Sequence, residues 1–184
     1  MLRNLTAREV GCTIFSFSAS SSAGDADFVG ATPETLASLE AGELRAFALA
    51  GTAPRGATAE HDRRLREALE SSGKDRSEHE FVVRGLRDDL GDLAHSLSVD
   101  GAGVVALRRV QHLRTELRGR VAPHCGILDV AAGDLGDGSS LRIAADRRAR
   151  VQRRREDFER GWYAGPIGWT TLDGEGELAV GLRC

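Results

Sequence analysis

The chain has 184 residues, of which 41% are apolar and 29% are charged, and its formal net charge at pH 7 is −3. This composition is that of one globular domain with a hydrophobic core, and the slight negative charge with only 5% aromatic residues argues against a nucleic-acid partner. The three cysteines are far apart and odd in number, so they predict neither a disulfide framework nor a zinc site. No apolar run approaches the roughly 20 residues of a membrane span, and the first residues do not form a signal-peptide core. We therefore expect a cytoplasmic protein without a membrane partner.

The first half of the sequence predicts a run of short strands. Residues 2–10 indicate the end of a helix, and β-branched and aromatic residues then predict strands at 12–17, from 28, at 35–39 and at 44–49. Ala41 and Gly42 supply the turn between the last two strands. Glycine and proline within 51–56 interrupt the pattern, after which residues 61–71 predict a helix.

A second helix has a clear apolar period. Its apolar positions recur at steps of four, four and three, at Val82, Leu86, Leu90 and Leu93. This spacing predicts a helix that begins within residues 72–80 and runs to about His95.

Glu78 lies one turn before Val82 and so on the same apolar stripe. A carboxylate on a buried face is costly unless it meets a cation or hydrogen-bond donors, which makes Glu78 a candidate ligand for a hard cation such as Mg2+. Capping boxes are an alternative role for the acids at this helix start, either Ser77 with Glu80 or Asp75 with Glu78.

The second half predicts further strands around an arginine-rich segment. Extended sequence is predicted at residues 104–107, 112–121, 161–169 and 178–183, and residues 127–132 are short, apolar and ambiguous in type. Asp173 and Gly174 predict a hairpin turn. Arginines crowd residues 142–155 and are followed by acidic residues, so we expect a solvated helix, with a phosphate-binding or nucleic-acid-binding patch as the alternative. Strands and a few helices without βαβ alternation predict an α+β fold.

Three smaller features carry candidate site residues. The segment 51–56 could present backbone N–H groups, the Thr52 hydroxyl and the Arg55 guanidinium to an anion, or form an ordinary turn. Pro33 fixes the backbone and could aim the carboxyl group of Glu34, whose alternative is an exposed strand end. His112 could be an acid, a hydrogen-bond donor or a satisfied core histidine.

Taken in order, the short motifs of this chain resemble those of the chorismate-utilising enzymes, and of isochorismate synthases in particular. The matching segments are FVGATPE at 28–34, AGTAPRG at 50–56, KDRSEH at 74–79, QHL at 111–113, RGWYAGP at 160–166 and LRC at 182–184. The resemblance implies an α+β fold of antiparallel sheets flanked by helices. It also implies Mg2+-dependent chemistry on chorismate, in which water adds to the ring as the ring hydroxyl leaves.

The resemblance further implies a role for each matching residue. Glu34 takes the general-acid position and protonates the departing hydroxyl, and His112 hydrogen-bonds near the reacting face of the ring. Glu78 takes the position of a Mg2+ ligand, and Asp75 holds a water of the hydrated ion. The implied substrate contacts are Gly51, Thr52, Tyr163 and Arg183, of which the last two bind carboxylates.

The chain departs from the family pattern in three places. The family's lysine base belongs to a stretch that would precede Met1, and its glycine-rich loop with a terminal Glu and Lys to one that would follow Cys184. Residues 133–155 stand where a motif of the His-Pro-Thr-Pro-Ala type is expected. We therefore expect a single partial chorismate-binding domain over residues 1–184, weakly active or inactive. The alternatives are a salicylate-forming, anthranilate-forming or aminodeoxychorismate-forming relative, and a non-catalytic binding module that keeps the fold. An isochorismate product would feed siderophore or menaquinone synthesis.

Overall fold

A computed structural model of the chain describes residues 11–21, 24–132 and 162–182. The predicted helix end at 2–10, the arginine-rich segment at 142–155 and the predicted substrate contact Arg183 lie outside these ranges. None of the described helices combines the length and the apolar composition that a bilayer crossing requires.

The described ranges contain nine strands and three helices, and the mixture confirms the predicted α+β class. In chain order the elements are β1 (Thr13–Ser21), β2 (Gly24–Thr32), β3 (Thr35–Glu40), β4 (Glu43–Pro54), α1 (Ala59–Ser71), α2 (Gly73–Gly91), β5 (Ala94–Val99), β6 (Gly103–Ala106), β7 (Val110–Val121), α3 (Ile127–Ala132), β8 (Pro166–Thr170) and β9 (Gly176–Val180).

Among the described strands every pairing is antiparallel. β1 and β2 form a two-stranded ribbon, and the other described strands form one sheet in the order β5-β7-β4-β3-β9-β8, with β6 also paired to β7. The predicted turn between β3 and β4 is confirmed, because Ala41 and Gly42 both have positive φ, 50° and 75°, as a two-residue type I′ hairpin requires.

The core lies between one face of the sheet and the helices. The apolar stripe of α2 packs there as predicted, since Leu86 and Leu90 are buried and Val82 packs at the edge of the same cluster. Leu93, the last position of the predicted stripe, is also buried but lies just beyond the helix. Burying one such leucine stabilises the fold by about 1.5–3 kcal/mol relative to leaving it in water. This packing fixes α2 across β4, β5 and β7, and thereby fixes the side chains at its first turn over the same strands.

Several boundaries differ from the sequence predictions. The strands predicted at 12–17 and from 28 are longer, because β1 runs on to Ser21 and β2 begins at Gly24 where the two pair with each other.

Two further boundaries depend on β7. The helix predicted to reach His95 ends at Gly91, and His95 lies in β5, because Ala94 and its neighbours pair with the end of β7. Strand β4 was predicted to break at Gly51 but continues to Pro54, because β7 pairs with it beyond the glycine. In both cases strand pairing with β7, which lies far along the chain, overrides the local signal.

Candidate active site

A cleft of about 220 Å³ opens beside β4, where β3 begins. Its lining residues are Pro33, Glu34, Leu49, Ala50, Gly51, Thr52, Glu78, Val82 and His112. The structure therefore brings together most of the residues that the sequence singled out, namely Glu34, Gly51, Thr52, Glu78 and His112.

The cleft exists because β4 is longer than its neighbour β3. The two strands pair from Glu40 opposite Glu43 to Ala37 opposite Ala46, and β4 then runs on to Pro54 with β7 along its other side. Beyond the paired region the chain leads from β3 back through Pro33 and Glu34 to β2. Side chains from α2 and from β7 also line the cleft, namely Glu78, Val82 and His112.

One wall of the cleft contains a β-bulge at Gly51. The register of β4 against β7 shifts between Ala50 and Thr52, and Gly51 has a φ of 78°. A Cβ at Gly51 would lie 3.1 Å from the Asp75 Cβ and 3.2 Å from the Leu113 Cδ1. Glycine is needed here because the backbone is left-handed and because α2 and β7 approach it closely.

The bulge places Thr52 opposite His112. The Thr52 Oγ1 lies 2.9 Å from the His112 Nδ1, so the hydroxyl and the imidazole form one hydrogen-bonded pair on the cleft wall. Which atom donates depends on the tautomer of the histidine. His112 is half-buried on the wall and not a core residue, which excludes the core alternative for this histidine.

Glu34 occupies the short link between β2 and β3. Its backbone carbonyl accepts a hydrogen bond from the Val180 N–H at 2.9 Å, and its N–H donates to the Thr32 Oγ1 at 3.3 Å. Thr32 is buried and Glu34 is partly buried, so the link is fixed from both ends. The alternative of an exposed strand-end glutamate is thereby excluded.

Helix α2 begins earlier than the capping boxes predicted. Its N-cap is Ser72, whose Oγ accepts a hydrogen bond from the Asp75 N–H at 3.2 Å, while the Ser72 hydroxyl donates to the Asp75 carboxylate. Ser77 is one turn inside the helix, so neither predicted box is the cap. The Ser72 backbone N–H donates to the Leu69 carbonyl and not to Asp75, so the reciprocal backbone bond of a capping box is not formed here.

Glu78 is exposed, contrary to the prediction that it lies on the buried stripe. At this turn of α2 the buried position belongs to His79, and Glu78 lines the cleft beside it. The carboxylate therefore faces the cleft without the desolvation cost that the stripe suggested, and its position still suits a cation or a ligand.

Arg55 is not available to an anion in the way the segment 51–56 suggested. Its guanidinium binds the Asp62 carboxylate through two nitrogens at 2.7 and 2.8 Å and donates to the Leu107 carbonyl at 2.7 Å. Asp62 also accepts from the Gly56 N–H at 2.7 Å. These bonds to Arg55 and Gly56 lower the pKa of Asp62 to about 2. The arginine fastens the end of β4 to the start of α1.

Three other predicted site residues lie elsewhere. Asp75 is hydrogen-bonded to Ser72, the N-cap of α2, and does not line the cleft, although its Cβ lies close to Gly51. Tyr163 is half-exposed in the turn before β8 and does not line the cleft either. Arg183 lies outside the described residues. Roles for these three remain predictions.

The sequence analysis missed His79, which is 2% exposed in the first half of α2. Its Nε2 lies 2.8 Å from the Thr115 Oγ1 on β7, and its Nδ1 is buried without a hydrogen-bond partner among the described residues. Burial lowers the pKa of His79, and the Ala50 carbonyl and the Glu80 carboxylate act in the opposite direction. The signal was present in the spacing, because His79 precedes the buried Leu86 by two helical turns.

The donors in the cleft suit a hard cation that is shared with a ligand. Within the described ranges no three acidic, histidine or cysteine side chains converge as a metal cage. Mg2+, however, is commonly held by one or two carboxylates, with waters and substrate oxygens completing its shell. Glu78, with Glu34 lining the same cleft, fits that pattern.

Several known proteins are similar to this chain in sequence and in fold. Residues 1–184 match the family model for chorismate binding enzymes. The chain is 40% identical over 169 residues to the salicylate biosynthesis isochorismate synthase of Pseudomonas aeruginosa, a match that covers 87% of this chain and 34% of that protein. It is 32% identical over 158 residues to the anthranilate synthase component 1 of Aquifex aeolicus, which covers 84% of this chain and 32% of that protein.

A solved structure has the same fold. DhbC of Bacillus anthracis, assigned as a 2,3-dihydroxybenzoate-specific isochorismate synthase, superposes with a TM-score of 0.86 at 29% identity, over 100% of this chain and 50% of that chain. The chain thus spans about a third of the length of the curated relatives named above. Sequence motifs, fold and full-length match agree, and the chain belongs to the chorismate-binding enzyme family.

Proposed function

We propose that this chain carries the general-acid and magnesium-binding parts of an isochorismate synthase site, for the Mg2+-dependent conversion of chorismate to isochorismate. The observation that carries the proposal is the joint placement of Glu34 and Glu78 in one cleft, although they come from different elements. The 40% identity to an isochorismate synthase supports this choice of reaction.

Glu34 supplies the acid in this proposal. A ring hydroxyl is a poor leaving group unless it is protonated as it departs, and a positioned carboxyl group can provide that proton. Glu34 suits the task because Pro33, Thr32 and Val180 fix its backbone at the cleft. The Glu34 proton passes to the hydroxyl oxygen, which leaves as water, while another water adds to the ring and gives up one proton.

The proton given up by the added water needs an acceptor. The lysine base that the family resemblance implies has no counterpart in the cleft, since the described lining residues include no lysine. The described part of this chain therefore accounts for the acid and metal sides of the reaction, and its activity is expected to be weak.

Thr52, His112 and Gly51 form the ligand wall. The hydrogen-bonded Thr52–His112 pair can donate to or accept from the ring substituents, and the bulge at Gly51 lets backbone groups approach the ligand closely. Glu78 would hold Mg2+ at the open side of the cleft. When bound, Mg2+ offsets the charge of a substrate carboxylate, which would otherwise face two glutamates.

An aminating reaction is the second candidate, because the chain is 32% identical to an anthranilate synthase component 1. The same acid and metal would serve it, with ammonia in place of water. The third candidate is a binding module that keeps the cleft and binds chorismate without converting it.

The test is incubation of the purified chain with chorismate and Mg2+, with and without ammonium, followed by chromatography of the products. We expect slow formation of isochorismate, lowered by about 100-fold or more in Glu34→Gln and unchanged in Glu40→Gln, whose exposed carboxylate lies at the far end of β3. Anthranilate as the product would favour the aminating reaction.

A binding measurement completes the test. Chorismate that raises the melting temperature in the presence of Mg2+ but gives no product would favour the binding module. Neither turnover nor a melting shift would contradict the proposal.

A further inference from the structure

A buried histidine follows the proposed metal ligand on α2. His79 comes directly after Glu78, and its ring Nε2 is anchored 2.8 Å from the Thr115 Oγ1 on β7. Both side chains are almost fully buried, at 2% and 3% exposure. The anchor fixes the ring against the sheet where β7 pairs with Ala48, two residues before Ala50.

The other ring nitrogen, Nδ1, is buried and has no hydrogen bond of ordinary geometry among the described residues, whereas buried polar groups in folded proteins are nearly always bonded. The acceptor beside the ring is the Ala50 backbone carbonyl, which acts to raise the pKa of His79 by hydrogen bonding. Ala50 comes just before Gly51 in the bulge and lines the cleft. The ring is therefore placed to act on the backbone of the bulge as well as to fill space.

The bulge is the part of the cleft whose geometry is least fixed by strand pairing. An extra residue in one strand leaves its backbone groups out of the ladder, so their orientation depends on what packs behind them. Behind this bulge lie α2 and the ring of His79, and in front of it lies the cleft. A ligand touching Gly51 and Glu78 together requires the bulge and the helix to be held at one spacing.

We propose that His79 is a positioning residue of this site, and that its Nδ1–H bonds the Ala50 carbonyl. The bond holds the bulge at the spacing from α2 at which Gly51 and Glu78 contact one ligand. In this tautomer Nε2 accepts the hydrogen of the Thr115 hydroxyl, so both ring nitrogens are satisfied. The inference rests on the proposed function of the cleft.

Two conservative variants separate positioning from packing. The amide of His79→Asn can replace the Nδ1 donor toward Ala50, and the amide of His79→Gln can replace the Nε2 contact with Thr115. We expect His79→Gln to weaken chorismate binding in the presence of Mg2+ by about tenfold and His79→Asn to bind within about threefold of the unmodified chain. Both variants lose packing, so melting temperature is measured beside affinity.

Calorimetric titration of the full chain with chorismate and Mg2+ measures the affinity of each variant and separates the two roles. Equal affinity losses in both variants, in line with their losses in melting temperature, would overturn the inference, as would unaltered binding by His79→Gln. A 15N spectrum of the histidine rings must also show the Nδ1–H tautomer for His79, and the Nε2–H tautomer would overturn the inference without reference to binding. No chorismate binding by the unmodified chain would contradict the proposed function itself, and the role of His79 with it.

Discussion

The Thr52 Oγ1 lies 2.9 Å from the His112 Nδ1, across two strands whose register shifts at Gly51. Without the bulge, the side chains of β4 beyond Ala50 would point to the other face of the sheet, because side chains alternate along a strand. The pair thus depends on the glycine, and the cleft wall depends on the pair.

Replacing Thr52 with valine tests that wall. Valine has the shape of threonine without the hydroxyl, so the His112 Nδ1 loses this partner while the strand pairing remains. We expect weaker chorismate binding by about three- to tenfold, with little change in the free energy of unfolding because Thr52 is exposed. Thr58→Ser, which keeps the N-cap of α1, is the control. Unaltered chorismate affinity in Thr52→Val would remove the pair from the site.

Gly51→Ala should destabilise the fold. An alanine at this φ is strained by about 1–2 kcal/mol, and its Cβ would press on Asp75 and Leu113. We expect the free energy of unfolding in urea to fall by about 2 kcal/mol or more. The control is Gly101→Ala, where a Cβ meets open space and φ is not positive. Equal free energies of unfolding for the two variants would show that position 51 accepts a Cβ without strain.

The start of α2 offers a direct contrast between sequence and structure. Ser72→Ala removes the observed N-cap and should lower the free energy of unfolding by about 1 kcal/mol. Ser77→Ala changes the cap that the sequence suggested, and it should be neutral or slightly stabilising because alanine is the better residue inside a helix. Urea unfolding of both variants measures the difference, and the reverse order would place the helix start at Ser77.

Acid stability should depend on Asp62. Its pKa is lowered to about 2 in the folded chain, below the ordinary value of 3.8, by its bonds to Arg55 and Gly56. A group whose pKa is lower in the folded state stabilises the fold at pH values above its ordinary pKa, and this contribution is lost as the pH falls toward the folded value. The melting temperature of Asp62→Asn should therefore fall less between pH 5 and pH 2 than that of the unmodified chain. Asp25→Asn, an exposed acid on β2, is the control, and parallel curves for all three proteins would contradict the assigned pKa.

Local pattern predicted the parts of the fold that depend on local chemistry. The stripe from Val82 to Leu93 predicted α2, and Ala41 with Gly42 predicted a hairpin turn that the φ angles confirm. The helix end at Gly91 and the extension of β4 were missed because both depend on pairing with β7, which follows far along the chain. Local signals carry no information on such partners.

The candidate site was predicted in part of its membership and not in its geometry. Motif resemblance selected Glu34, Gly51, Thr52, Glu78 and His112, which line one cleft. Resemblance could not show that Arg55 is bound by Asp62, because that contact depends on where α1 begins. It also passed over His79, whose burial is indicated by its spacing from Leu86 but whose contact with Thr115 is not.

The central claim is that Glu78 binds Mg2+ where chorismate binds. The measurement that tests it most directly is calorimetric titration of chorismate into the full chain with and without Mg2+, for the unmodified protein, Glu78→Gln and Glu80→Gln. Glu80 is exposed on the same helix and does not line the cleft, so it is the matched control. We predict that Mg2+ strengthens chorismate binding by about tenfold or more in the unmodified chain and in Glu80→Gln, and that this gain disappears in Glu78→Gln. The same gain in all three proteins would contradict the account.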